Sequence, residues 1–228
     1  MKKEVVVSLG GSLIIPDKVN TSLLLKFRQI VNKHKNNYKF VIVCGGGSIA
    51  RKYINALREV GISEYLQSLI GISSTRLNAR FMSYFFNKNP YTGIPHSIKQ
   101  VQEMLEKQGI VFCGGLRYAP NQTSDSTAAE IAKHLKCPFI NLTNVKGLYT
   151  KNPKEFKDAK FIPKISWRDF YKRASAIKYK PGQHFVLDQN ASKIIMKHKI
   201  KTYILGQDFK HLDNLLSEKK FAGTVIEG

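Results

Sequence analysis

Phe40-Val41-Ile42-Val43-Cys44-Gly45-Gly46-Gly47-Ser48 is an apolar, β-branched run that stops on three glycines. Val5-Val6-Val7-Ser8-Leu9-Gly10-Gly11-Ser12 repeats that design near the N-terminus. A strand that ends in glycine and leads into a helix exposes bare backbone N–H groups at its carboxyl end. No Cβ blocks approach there, and the helix N-terminus is electropositive, so phosphate oxygens are the natural guests. One such loop could be only a tight strand–helix turn. Two of them, each after a strand, predict a site that holds more than one phosphate group.

Strand and helix signals alternate along the chain. Residues 5–9, 40–44, 110–113, 138–142 and 202–205 read as strands, and 223–226 as an added edge strand. Thr21 or Ser22 can cap a helix that carries Leu23, Leu24, Phe27, Ile30 and Val31 on one face. Ile49, Tyr53, Ile54, Leu57 and Val60 recur at helical spacing up to Gly61. Residues 64–87 read as another helix, with Leu66, Leu69, Ile70, Leu77, Phe81 and Phe85 as a stripe. Ser97 opens a helix that Gly109 closes. Ser124 or Asp125 caps the next, Ser166-Trp167-Arg168-Asp169 has capping-box character, and residues 188–198 and 212–220 complete the helices. The alternation predicts an α/β fold with a mostly parallel sheet covered on both faces. Ligands of such sheets sit outside the carboxyl ends of the strands, where both glycine loops fall.

Composition narrows the class. The chain has 228 residues, 43% of them hydrophobic, enough for a real core and too apolar for disorder. No apolar run approaches the ~20 residues of a membrane span. Met1-Lys2-Lys3-Glu4 leads straight into a strand-like segment, which predicts a cytoplasmic protein. Cys44, Cys113 and Cys137 include no C-x-x-C spacing and read as buried free thiols. The net charge of +21 favours anionic ligands, and nucleic acid is one candidate class. The basic residues are spread along the chain, however, without an accompanying nucleic-acid motif. No H-x-x-x-H or H-E-x-x-H pair exists, so no metal is assigned to protein side chains.

Gly45-x-Gly47-x-x-Ala50 loosely fits a dinucleotide loop. Its partner acid should end the next strand ~20 residues on, and Glu64 instead precedes a helical run. G-x-x-x-x-G-K-[ST] is absent, as is the protein-kinase motif set.

As a set, the motifs resemble the amino acid kinase family, and within it the archaeal-type uridylate kinases. The resemblance rests on Ser8-Leu9-Gly10-Gly11-Ser12, residues 44–53, Ile70-Gly71-Ile72 with Thr75-Arg76-Leu77-Asn78-Ala79, and Gly114-Gly115. It continues through Thr123-Ser124-Asp125, residues 143–150, Lys180-Pro181-Gly182 with Val186-Leu187-Asp188, Ile200-Lys201-Thr202 and Gly223-Thr224. It spans nearly the whole chain in order. It implies a three-layer αβα sandwich in one domain of residues 1–228, with the acceptor-binding part roughly 1–125 and the ATP-binding part roughly 126–228.

The resemblance also implies transfer of the ATP γ-phosphoryl group to UMP, giving UDP, with Mg²⁺ accompanying ATP and a homohexamer as the assembly. By that likeness Ser8, Leu9, Gly10, Gly11, Ser12 and Gly47 face the ATP phosphates, with Arg51 as a charged clamp. Thr143, Asn144, Tyr149 and Asn152 line the nucleoside end of ATP. Gly46 lies against the acceptor phosphate, and Ser68, Arg117, Asn121, Gln122, Thr123 and Ser124 belong to the UMP side. Asp125 and Asp188 stand nearest the transferring phosphate, and Lys180 supplies positive charge. Each has a plainer reading too: Arg51 as a solvated charge, Asp125 and Asp188 as helix caps, Tyr149 as packing, Lys180 as one lysine among many.

The chain departs from the pattern in several places. Ser8 stands where many members have lysine, Ser68 where a ribose-binding aspartate falls, and Asn152 where an aspartate is usual. The loop 116–122 is about two residues longer than expected. These departures leave open a kinase of another small phosphorylated or carboxylated acceptor. A catalytically degenerate nucleic-acid-binding or regulatory module is the alternative from a different class, against which the retained glycines and aspartates speak.

Overall fold

The computed structural model describes residues 2–118, 123–153, 155–176 and 187–228. In chain order its first half comprises β1 (Lys3–Leu9), α1 (Gly11–Ile14), α2 (Thr21–His34), β2 (Tyr38–Cys44), α3 (Gly47–Glu59), α4 (Glu64–Phe85), α5 (Ile98–Gln108) and β3 (Ile110–Cys113). The second half comprises α6 (Ser124–Leu135), β4 (Phe139–Leu142), β5 (Leu148–Tyr149), β6 (Phe161–Ile162), β7 (Lys164–Ile165), α7 (Trp167–Ala176), α8 (Gln189–His198), β8 (Thr202–Leu205), α9 (Lys210–Leu216) and β9 (Thr224–Ile226). Seven strands form one sheet in the order β3-β2-β1-β4-β8-β9-β7, and β5 and β6 make a separate hairpin. The first five run parallel, while β9 is antiparallel to β8 and carries β7 on its outer side. The tail strand is therefore an inner strand and not the predicted edge, because β7 pairs beyond it.

The period of two along each strand divides the core. Val5, Val7 and Leu9 of β1, with Phe40, Ile42 and Cys44 of β2, face Leu24, Phe27 and Val31 of α2, Met82 of α4 and Leu212 of α9. Val6, Val41, Val43 and Phe139 face Ala128, Ile131 and Ala132 of α6, Phe170 of α7 and Ile195 of α8. These are the three layers the family resemblance implies. By the same parity Ser8 shares the α6 side with Val6. It lies in register between Val43 and Asn141 and is fully buried.

Two helix caps differ from expectation. Asn20 caps α2 through Oδ1 and the Leu23 N–H, and Thr123 caps α6 by accepting from the N–H groups of Asp125 and Ser126. Asx and Ser/Thr oxygens compete for such positions, and in both helices the residue just before the first turn wins. Ser97 and Ser166 cap as expected, and Gly109 closes α5 in the left-handed region at φ 68°.

The apolar stripes of α3 and α4 are only partly buried, with Phe81 and Phe85 packed against the core. Tyr53 of α3 and Val60 just past its end are 54% and 71% exposed, and Leu66 and Leu77 of α4 are 47% and 55% exposed. Helix α4 instead buries Gln67, Ser74, Asn78, Ala79, Met82 and Ser83. The reason is hydrogen bonding: Asn78 Nδ2 donates to the Gly45 carbonyl at 2.7 Å, and Gln67 Nε2 donates to the Ile62 carbonyl at 2.7 Å. All three cysteines are buried free thiols, and burial raises their pKa values, to about 12 for Cys113 and Cys137.

Candidate active site

The sheet order reverses between β1 and β4: the chain runs outward through β2 and β3, then returns to build β4 and β8 on the other side. Such a switch point opens a crevice at the strand ends, and both glycine loops line it. The Gly10 N–H donates to the Leu142 carbonyl at 3.1 Å, and the Gly45 N–H to the Leu9 carbonyl at 3.0 Å. The loops touch each other directly. A Cβ on Gly11 would stand 2.0 Å from Gly47 N, and one on Gly45 would stand 2.4 Å from Gly11 N. Gly47 has φ 65°, and a Cβ there would strike the Gly11 carbonyl at 2.7 Å. Glycine is required because two backbones pass at van der Waals contact.

Helices α1 and α3 both start at this contact, and neither has a side-chain cap. The N–H groups of Gly11, Ser12, Gly46 and Gly47 make no hydrogen bond to another described residue. Ser48 Oγ is buried without a partner among the described residues. Free donors at two adjoining helix N-termini form an anion cradle. Asn78 and Ser48 are site residues that sequence reasoning missed. Asn78 stands in the Thr75-Arg76-Leu77-Asn78-Ala79 motif of the family resemblance, which assigned it no role.

A second cluster flanks the cradle. Ser8 Oγ donates to Asp125 Oδ1 at 2.7 Å. Asp188 Oδ1 accepts from Ser126 Oγ at 2.8 Å and from the Ala191 N–H at 2.8 Å, and its Oδ2 accepts a short hydrogen bond from Thr123 Oγ1. Asp188 therefore caps α8 while gripping the start of α6, so two helix N-termini converge on one carboxylate. Burial, reinforced by the neighbouring Asp188, pushes the Asp125 carboxyl up to about 7, against the pull of the Ser8 hydroxyl.

A third group joins α4 to the end of β3. A Cβ on Gly114 would lie 2.6 Å from backbone of Thr75 and Arg76. Thr75 Oγ1 accepts from the Gly115 N–H at 2.8 Å. Arg76 donates from Nε to the Gly115 carbonyl at 2.9 Å and from Nη2 to the Leu116 carbonyl at 2.7 Å. A Cβ on Gly46 would sit 3.7 Å from Thr75 Cγ2, so this stem adjoins the cradle.

The structure thus brings together Ser8, Leu9, Gly10, Gly11, Ser12, Gly46, Gly47, Thr123, Ser124 and Asp125. Thr143 and Asn144 follow directly after β4, with the Thr143 N–H donating to the Leu205 carbonyl at 2.9 Å. Tyr149 lies farther out on the β5–β6 hairpin, edge-to-face with Phe161 at 5.4 Å, and Asn152 donates to Glu155 in the following turn. Thr224 ties that hairpin to the sheet through the Leu148 N–H and the Ile162 carbonyl.

Other expected residues point elsewhere. Arg51 is exposed, with Nη2 donating to the Pro16 carbonyl at 3.4 Å. Arg117 pairs with Glu130 at 3.5 Å, and Ser68 Oγ turns back to the Glu64 carbonyl of its own helix at 2.8 Å. Lys180, Asn121 and Gln122 lie outside the described residues.

The model of the amino acid kinase family matches residues 3–206. A uridylate kinase of Hyperthermus butylicus is 32% identical over 230 residues, covering 100% of this chain and 99% of the relative. The crystal structure of a uridylate kinase from Archaeoglobus fulgidus, 32% identical, superposes with a TM-score of 0.84 over 99% of this chain and 100% of that one. A UMP kinase from Ureaplasma parvum, 20% identical, has the same fold at a TM-score of 0.79 over the full length of both chains.

Proposed function

The chain belongs to the amino acid kinase family, and we propose that it is a uridylate kinase, transferring the γ-phosphoryl group of ATP to UMP to give UDP for pyrimidine nucleotide synthesis. The observation that carries this reading is the contact between the two glycine loops. Phosphoryl transfer requires two polyanions held in line with their charge neutralised. Two adjoining helix N-termini with free N–H donors supply that arrangement.

In this reading residues 1–125 carry the acceptor and 126–228 carry ATP within one domain. Ser8–Ser12 and Gly47 hold the ATP phosphates, with Thr143, Asn144, Tyr149 and Asn152 toward its nucleoside. Gly46, Ser68, Arg117, Thr123 and Ser124 form the UMP side, to which Asn121 and Gln122 also belong. Asp125 and Asp188 orient the donors around the transferring group, and Arg51 and Lys180 add positive charge. Ser8, standing where many relatives carry lysine, keeps Asp125 hydrogen-bonded without bringing a charge of its own.

Mg²⁺ enters with ATP and neutralises the β- and γ-phosphate oxygens. The described residues gather no group of three metal-ligating side chains, and both Asp188 oxygens are engaged.

The half-exposed apolar residues of α3 and α4 support a homo-oligomer, a hexamer by family resemblance. No described helix is long and apolar enough to cross a membrane, and we assign the enzyme to the cytoplasm. A coupled assay with ATP-Mg²⁺ and a panel of nucleoside monophosphates tests the reading. UDP formed from UMP is the expected product, and turnover of a different acceptor alone would overturn it.

A further inference from the structure

Helices α6 and α8 pack against each other. They begin beside Asp125 and Asp188 and end at the opposite edge of the sheet, about 15 to 18 Å away along their axes. Every exposed residue on the two helices is lysine or histidine: Lys133 and His134 on α6, and Lys193, Lys197 and His198 on α8. Partial desolvation and the charges of Lys133 and Lys197 hold the His198 imidazole below its ordinary pKa, so the two helix ends share one positive field. Lys193 and Lys197, one turn apart, repel each other.

The turns that follow the two helices are built alike. Lys136 and Lys199 each have φ 51°, in the left-handed region. The Cys137 N–H donates to the Ala132 carbonyl at 3.1 Å, and the Ile200 N–H to the Ile195 carbonyl at 3.0 Å. Each lysine stands three residues before one member of the Phe139–Thr202 pair, which begins the parallel register of β4 and β8. The two lysine turns therefore enter neighbouring strands side by side. Glycine takes this conformation without strain, as Gly109 does after α5. At both turns the chain carries a strained lysine in its place. Lys133, Lys136, Lys193, Lys197 and Lys199 make no ion pair with a described residue. At the same edge of the sheet Glu4 is paired with Lys39, and Glu227 with Lys164 and Lys201.

We propose that these five lysines form a docking surface for the phosphate backbone of a nucleic acid. Unpaired cations fixed on two packed helices suit a polymer that carries one charge per unit. Lysine meets phosphate as a point charge, so the backbone is recognised and base identity is not. An anionic lipid surface fits less well. Interfacial binding buries apolar side chains, and none of the large exposed apolar residues described lies on α6, α8 or the turns after them. The surface is a helix length from the nucleotide crevice, so it can be occupied while the crevice works.

The test is fluorescence anisotropy of a labelled single-stranded oligoribonucleotide titrated with the intact protein. Between about 50 and 200 mM salt, log Kobs should fall linearly with log[salt], with a slope of about −2 to −3.5, the value for roughly three to five neutralised phosphates. The triple variant Lys133→Gln, Lys193→Gln, Lys197→Gln should weaken binding at least tenfold at the low-salt end. The double variant Lys136→Gly, Lys199→Gly should weaken it at least threefold with a Tm at or above wild type. Because the whole chain carries +21, a charge-matched control is needed. Lys26→Gln, Lys210→Gln and Lys220→Gln together remove as much charge on or beside α2 and α9, in the opposite layer, and should stay within twofold of wild type. None of these variants should change kcat or KM for nucleotides. Should the patch triple misfold, judged by circular dichroism, the glycine pair decides by its threefold criterion. Wild-type protein that binds no RNA at low salt, or equal losses in the patch and control triples, would overturn the proposal and leave the kinase reading intact. Binding to anionic phospholipid vesicles with none to RNA would overturn it too.

Discussion

Ser8 and Asp125, 117 residues apart in the chain, are joined by a 2.7 Å hydrogen bond that ties the end of β1 to the first turn of α6. The bond sits at the sheet's switch point, against the phosphate cradle. It leaves a carboxyl in a desolvated place next to a second carboxylate, and that has a consequence for stability.

Asp125 titrates near 7 in the folded chain, against an ordinary value of 3.8. Between those two values the folded state holds a proton that the unfolded state has released. Stability therefore falls as pH rises through this window and levels off above it. Asp125→Asn removes the penalty. Thermal melts from pH 5 to 8 should show wild type losing stability toward pH 8 and the variant much less so. At pH 8 the variant Tm should be higher by at least ~3 °C, the shift that ~1 kcal/mol produces in a chain of this size. A wild-type Tm that is flat or rises across the window would contradict the assignment.

Gly11→Ala should separate the two loops, because its Cβ would land 2.0 Å from Gly47 N. A clash with backbone cannot be relieved by a rotamer, so we expect loss of ATP binding and ~3 kcal/mol or more of stability. Gly61→Ala is the comparison. Its φ of 72° strains alanine, but nothing lies within 4 Å of the added methyl. It should cost about 1 kcal/mol and leave kcat/KM unchanged. Equal effects at both positions in urea unfolding and ATP titration would argue against the loop contact.

Arg76→Ala strips both donors from the stem that carries Tyr118, whereas Arg76→Lys keeps the charge but not the forked geometry. In the uridylate kinase reading Arg76 is a positioning residue, its donors engaged by the Gly115 and Leu116 carbonyls. Both variants should raise the KM for UMP, alanine by about tenfold, which is about 1.4 kcal/mol. The KM for ATP should not move. A change confined to ATP would place the arginine's influence on the wrong side of the cleft.

Arg51→Ala tests the charged clamp. The guanidinium rests on the Pro16 carbonyl, within the segment that follows the first glycine loop, and is exposed. If it swings to phosphate, kcat/KM drops at least tenfold, about 1.4 kcal/mol. An unchanged value would make it a surface charge.

Much of this was legible in residue order. The two strand–glycine runs located the cradle, and the Ser97 and Ser166 caps followed from local hydrogen-bonding chemistry. What was hidden depends on contacts between distant segments. The Leu77 and Phe81 periodicity reads as one stripe, yet Phe81 packs against the core while Leu77 is exposed, because α4 turns Asn78 inward to the buried Gly45 carbonyl. Thr123 wins the cap of α6 over Ser124 and Asp125 because Asp188, 65 residues away, anchors its hydroxyl. The β5–β6 hairpin and β7 are two residues per strand, too short to show a period of two. Tyr65 and Tyr118 look like ordinary aromatics until the fold sets one against the other.

The sealed thiols on β2 and β3 give this protein its own clock of unfolding. Cys44 and Cys113 are fully shielded and carry strongly raised pKa values, so an alkylating reagent finds a thiolate only when the central strands part. The speed at which they are modified in the native protein therefore measures how often the sheet itself opens, and a ligand seated at the strand ends should slow it.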